Sequence, residues 1–130
     1  MSGSWRLYGL VGVGGAIGGL LRFLLSHLCM SADLPWATLL ANTLGSLLIG
    51  LYVGLPTYWR LTSGHAHVFV TAGLLGGFTT FSVFSLEMLT LLQQQQWLNA
   101  MSYGLLSITL WLTAASAGYW LARFVQHRSF

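Results

Sequence analysis

The chain reads as an all-α membrane protein with four transmembrane helices, and three observations carry that reading. Of its 130 residues 55% are hydrophobic and only 5% charged, whereas a water-soluble domain carries roughly a quarter charged residues to solvate its surface. Its apolar stretches are long enough to supply the about 20 residues that one helix needs to cross a bilayer. Aromatic residues gather near the ends of those stretches, at Trp5, Tyr8, Trp36, Tyr58, Trp59, Trp97 and Trp120, where amphipathic rings favour the headgroup region.

The first span covers about 7–28 and is interrupted only by Arg22 and His27 near its far end. Arg6 precedes it, so a cleaved signal peptide is the competing reading. The run exceeds the ~7–15-residue core of a signal, and its removal would leave three spans, so it is read as a retained helix. The second span, about 36–55, opens at Asp33-Leu34-Pro35-Trp36 with a proline suited to a first helical turn, and closes at Leu55-Pro56. The third covers about 67–92. A run of four glutamines at 93–96 then separates it from the fourth, about 97–122. Connections this short make successive helices antiparallel within one membrane domain, 1–130.

Several soluble-protein chemistries are excluded. Gly12-Val13-Gly14-Gly15-Ala16-Ile17-Gly18 resembles a dinucleotide fingerprint, but its third glycine falls one residue late and no strand precedes it. The glycines read better as small-xxx-small pairs that let helices approach closely in lipid: Gly14/Gly18, Gly15/Gly19, Gly50/Gly54 and Gly73/Gly77. His65 and His67 lack a third ligand and are expected to be solvated loop residues. Cys29 is the only cysteine, which gives neither a disulfide nor a metal cluster. With Asp33 and Glu87 as the only acids, no nucleophile–base–acid triad is legible, and the chain is not expected to be an enzyme. No nucleic-acid partner is expected.

What remains is polarity inside the spans, which is costly in lipid and therefore a functional signal. The second span carries Thr38, Asn42, Thr43 and Ser46. Asn42 must find hydrogen-bond partners, as interhelical glue or as pore lining. In the third, "GGFTTFSVF" (Gly76 to Phe84) places two glycines before Thr79, Thr80 and Ser82. Glycines weaken a helix and the hydroxyls compete for its backbone, so a break is expected at this point. Unwound backbone at membrane depth survives only inside protein or beside a watery cavity. Phe81 and Phe84, three residues apart, share one helix face.

These residues carry a family resemblance. "GGAIGGLLRF" (Gly14 to Phe23), "WATLLANTLGSLLIG" (Trp36 to Gly50) and "GLLGGFTTFSVFSLE" (Gly73 to Glu87) resemble the three signature stretches of the Fluc/CrcB fluoride channels. The resemblance implies four-helix subunits with the third helix broken in mid-membrane, paired as antiparallel, dual-topology dimers with two fluoride pores. It also implies a structural sodium ion at the centre of the dimer interface, held by the backbone carbonyls of Gly76 and Thr79. Phe81 and Phe84 would contact fluoride, Asn42 would be the pore amide and Arg22 the vestibule cation, with Tyr103 and Ser107 a polar edge from the fourth helix. Thr80 and Ser82 would add hydroxyls. Fluoride is small and tightly hydrated, so a pore must replace its water with donors and with the positive edges of aromatic rings. The chain departs from the family at Val83, where threonine is common, and has a bulky Phe78 at the variable position of its motif.

The resemblance implies passive fluoride export across the plasma (inner) membrane of a prokaryote, and hence fluoride resistance. Arg6, Arg60, Arg123 and Arg128 all fall on the side of the termini, a bias that favours one orientation. Either an antiparallel homodimer, the reading we favour, tolerates that bias, or a paralogous chain of opposite orientation completes a heterodimer. The alternative function is a small multidrug-resistance-type, proton-coupled exporter, a class that looks for a glutamate in its first helix. The first span here has no carboxylate.

Overall fold

A computed structural model describes residues 2–29, 34–56 and 64–127. Asp33, Tyr58, Trp59, Arg60 and Arg128, used above for boundaries and charge, lie outside these residues. The described chain is helical: α1 (Ser2–Leu28), α2 (Trp36–Gly54), α3 (Gly64–Val68), a π-helical segment (Phe69–Leu75), α4 (Gly76–Phe78), α5 (Phe81–Gln93) and α6 (Trp97–His127). Four stretches are long and apolar enough to cross a membrane: Ser4–Leu28, Trp36–Gly54, Gly64–Gln93 and Trp97–His127.

Local sequence sets the ends of these elements. Pro35 stands immediately before α2, and Leu55, which precedes Pro56, turns extended (φ −63°, ψ 148°), as the proline ring requires of the residue before it. The glutamine run closes α5 by a Schellman motif, with the Gln96 N–H donating to Leu91 O at 2.9 Å and the Gln95 N–H to Leu92 O at 3.0 Å. Gln95 takes a left-handed φ of 59°, at a position where glycine is the usual residue.

Gly76 and Gly77 remain helical in α4, and the extended dihedrals belong to the next two residues, Thr79 (φ −84°, ψ 154°) and Thr80 (φ −151°, ψ 122°). The glycines serve packing instead. A Cβ on Gly77 would stand 2.5 Å from Gly15 O, and one on Gly14 would stand 2.8 Å from Phe69 O. Residues 14–18 of α1 thus lie backbone to backbone, in parallel, along residues 69–78. Gly15 and Gly19 have open space where a side chain would project, so that expected pair contributes only the Gly15 backbone. His65 and His67, expected in a loop, belong to α3, and the His67 ring accepts or shares a proton with Tyr52 OH at 3.1 Å.

The second parallel pair is α2 with α6, in contact over much of their length. Gly50 and Gly54 abut Ala115 and Tyr119, Gly118 abuts Leu47 and Leu51 in return, and the Gln126 amide donates to Gly54 O at 2.6 Å. A small core of Leu39, Phe84, Leu91, Ala100 and Tyr103 fills the space where α5 packs on this pair. Most large apolar side chains of α1 and α6 face outward, among them Phe23, Leu105, Leu112 and Phe124. That surface suits lipid or protein neighbours and not water.

Candidate functional site

The extended Thr79–Thr80 pair frees backbone groups that a continuous helix would have satisfied, and the structure shows where each goes. Asn42, 5% exposed in the middle of α2, reaches across with its carboxamide. Its Nδ2 donates to Thr80 O at 2.9 Å and its Oδ1 accepts from Thr80 N–H at 2.7 Å. A side-chain amide here pairs with a peptide unit as a neighbouring strand would. The Thr80 hydroxyl then caps α5 by accepting from Val83 N–H at 3.2 Å and lies 3.3 Å from the Ser82 hydroxyl, the usual work of a threonine N-cap. Thr79 folds its own hydroxyl back on Leu75 O at 3.0 Å.

In an unbroken helix the N–H four residues on would bond each carbonyl. For Gly76 that donor is Thr80 N–H, taken by Asn42; for Thr79 it is Val83 N–H, taken by the Thr80 hydroxyl. The carbonyls of Gly76, ahead of the extended pair, and of Thr79, its first residue, have lost their helical donors to side chains.

Around this junction lies an open groove of about 290 Å³, lined by Asn42, Ser46, Gly76, Thr79, Thr80, Phe81 and Trp111 together with Gly45, Ile49, Thr71 and Leu75. Its lining thus combines an amide and hydroxyl-bearing residues with aromatic and aliphatic ones. Phe81 and Phe84 lie with ring centroids 5.8 Å apart, but their environments differ. Phe81 is 74% exposed, whereas Phe84 is buried between Tyr103 at 5.2 Å and Trp111 at 5.0 Å.

Behind Phe84 sits a carboxylate. Glu87, one turn along α5, accepts from the Thr38 hydroxyl of α2 through Oε1 and from the Tyr103 hydroxyl of α6 through Oε2, both at 2.7 Å. Such short bonds to a carboxylate are the strong kind, and this pair ties three helices together at one point. Thr38 and Tyr103 are both buried, as is the Ser107 hydroxyl.

The profile described as CrcB-like protein, Camphor Resistance (CrcB), matches residues 9–119, most of the chain. The chain belongs to the CrcB-like family. Among its CrcB-like relatives, a protein of Thermus thermophilus named "Fluoride-specific ion channel FluC" is 47% identical over 115 residues, covering 86% of this chain and 91% of the relative. One of Paramagnetospirillum magneticum, with the same name, is 40% identical over 131 residues, covering 92% and 97%. Another so named, of Rhizobium meliloti, is 38% identical over 117 residues, covering 88% and 94%.

In this CrcB-like chain the structure gathers Asn42, Gly76, Thr79, Thr80 and Phe81 at one groove, and sets Phe84, Tyr103 and Ser107 in the packing beside it. Ser82 stands at the edge, joined to it through Thr80. Arg22 does not line the groove; it sits on α1, half-buried, with its Nε buried and without a hydrogen-bond partner among the described residues. Two participants were not assigned from the sequence. Thr38 stands one turn before Asn42, and its hydroxyl was visible only as one more polar residue in the span. Trp111 stands one turn after Ser107 on the face of α6 that meets Phe84; a period-four reading from Tyr103 through Ser107 would have found it.

Proposed function

We propose that the chain is a fluoride-selective passive ion channel that lets fluoride leave the cytoplasm and so confers fluoride resistance. The observation that carries the reading is its near-full-length kinship with relatives named fluoride-specific ion channels. The groove supplies chemistry suited to that ion. Donors and aromatic edges converge there, and the Asn42–Thr80 pairing holds the hydroxyls and Phe81 in fixed positions, so a dehydrated anion meets preorganised partners.

On this reading the extended Thr79–Thr80 pair is the mid-membrane break of the third helix, and two copies pack antiparallel as a dual-topology homodimer in the inner membrane of a prokaryote. The donor-deprived carbonyls of Gly76 and Thr79 fit a hard monovalent cation such as sodium, and a second copy would double their number. Bound there, the ion supplies a fixed positive charge that no change of pH removes. Asn42 sets the geometry of those carbonyls by holding Thr80 N–H away from the helix. Phe81, so exposed in one chain, is placed to face the partner copy or the pore, and Arg22 offers its charge near the mouth. The proton-coupled exporter is not favoured: Glu87 is the only described acid, and it is held by two hydroxyls within the helix packing.

Fluoride efflux from liposomes reconstituted with this chain alone tests the reading, with chloride efflux from the same vesicles as the control. Rapid fluoride release without chloride release is expected. Well-folded protein that releases neither ion would sink the homodimeric channel, and restoration by a paralogous chain would replace it with a heterodimer.

A further inference from the structure

Tyr103, Ser107 and Trp111 follow one another at intervals of four residues on one face of α6, about 6 Å per step. Phe84 is seated against this face, its ring 5.2 Å from Tyr103 and 5.0 Å from Trp111, the second contact edge-on at 75°. The three polar groups are not equally satisfied. The Tyr103 hydroxyl donates to Glu87. The Trp111 Nε1 is buried and has no hydrogen-bond partner among the described residues, and the buried Ser107 Oγ has the Tyr103 hydroxyl as its neighbour one turn away.

Native structures rarely leave buried polar atoms unpaired, and each such atom asks for a reason. The indole nitrogen narrows the choice, because it donates and never accepts. Whatever satisfies it must be an acceptor, which excludes a cation. The serine hydroxyl one turn away can rotate to donate to the same acceptor. Trp111 also borders the groove that contains Asn42, Thr80 and Phe81. Trp111 therefore stands between this spot and the junction where the third run of helix turns extended.

We propose that Trp111 is a specificity-determining residue of this chain, its indole N–H donating to the permeant anion as it passes Phe84, with the Ser107 hydroxyl as the second donor. The inference rests on the channel reading above. N–H and O–H donors to an anion make short, charge-assisted bonds, and a small, hard acceptor gains most from them. Trp111 thus favours fluoride over a larger halide, and does so through its nitrogen and not through the bulk of its ring.

Trp111→Phe separates those two contributions, since it keeps an aromatic ring against Phe84 and removes only the donor. Full-length wild type and W111F are compared in the liposome assay, after both are shown to elute alike in detergent. Fluoride flux in W111F should fall about tenfold, the worth of one hydrogen bond to a charged group, with chloride still excluded. The second readout needs no variant to fold: in 15N-indole-labelled wild type, the Trp111 Nε1–H resonance should move with sodium fluoride and stay fixed with sodium chloride. An unshifted resonance, or flux in W111F equal to or above wild type, overturns the proposal, the latter because the ring would then be packing or a plug. Wild type that passes no fluoride at all overturns the channel reading itself, a result distinct from a flux-competent wild type indifferent to W111F.

Discussion

Two junctions within the bundle are held by opposite means. Along the seam between α1 and residues 69–78, glycines bring backbone against backbone, and among the described residues no side-chain hydrogen bond crosses it. Where α2, α5 and α6 meet, Asn42 and Glu87 join helices by hydrogen bonds whose partners lie 38, 49 and 16 residues away in sequence. The first seam depends on the absence of atoms, the second on specific atoms at specific places. Substitutions should therefore damage them differently: addition ruins the first, deletion the second.

The largest effect is expected at Gly18. A Cβ there collides with Leu74 O and would lie 2.6 Å from Phe78 N, and backbone cannot step aside as a side chain can. Gly18→Val should cost about 3 kcal/mol or more, read as a lower thermal midpoint in detergent. Gly12→Ala, where the added atom meets nothing within 4 Å, should stay within about 1 kcal/mol. Equal midpoints for the two variants would mean that the glycine seam is not what holds α1.

Next comes Asn42→Ala, which orphans both the N–H and the C=O of Thr80. At about 1–3 kcal/mol per unsatisfied buried group, the loss should approach that of Gly18→Val, and fluoride flux should vanish with it. Asn42→Asp retains an acceptor for Thr80 N–H and should fall between. If alanine leaves both stability and flux intact, the amide clamp does not shape the groove.

A smaller loss is expected for Glu87→Gln, which gives Thr38 and Tyr103 a neutral acceptor on one side and a donor on the other. About 1–2 kcal/mol should go. In a double-mutant cycle with Tyr103→Phe the two losses should be less than additive, since they share one bond. Strict additivity would show the contact to be energetically idle.

The smallest change, and the only gain, belongs to the turn. Gln95→Gly relieves a left-handed residue and should stabilise by about 0.5–1 kcal/mol without touching flux. A lower midpoint would mean that the Gln95 side chain contributes more than its backbone costs.

The number and order of the spans were legible because a bilayer allows few alternatives: hydropathy marks spans, and Pro35, Pro56 and the glutamines mark ends. Within the site, legibility tracked how local the cause was. That Thr79 and Thr80 would engage their own backbone follows from chain neighbours, and they do; Ser82 meets the Thr80 hydroxyl instead. That the extension would fall on the threonines and not on Gly76 and Gly77 depends on Asn42 arriving from another helix to claim the Thr80 peptide, and on α1 needing those glycines for contact. Glu87 was visible as a charge, but its two hydroxyl partners required knowing that α2 and α6 run side by side in the same direction.

The π-helical segment Phe69–Leu75 bears on how this sequence can change over time. A π turn accommodates one residue more than an α turn. Deleting one residue between 69 and 75 would let the stretch relax to an ordinary α-helix while the helix beyond it keeps its phase, so Thr80 would still face Asn42 and Gly77 would still face Gly15. The same deletion within α1 or α6 would turn everything after it by about 100°. Loss of a single residue should therefore be tolerated in this stretch where it would be purged from the regular helices around it.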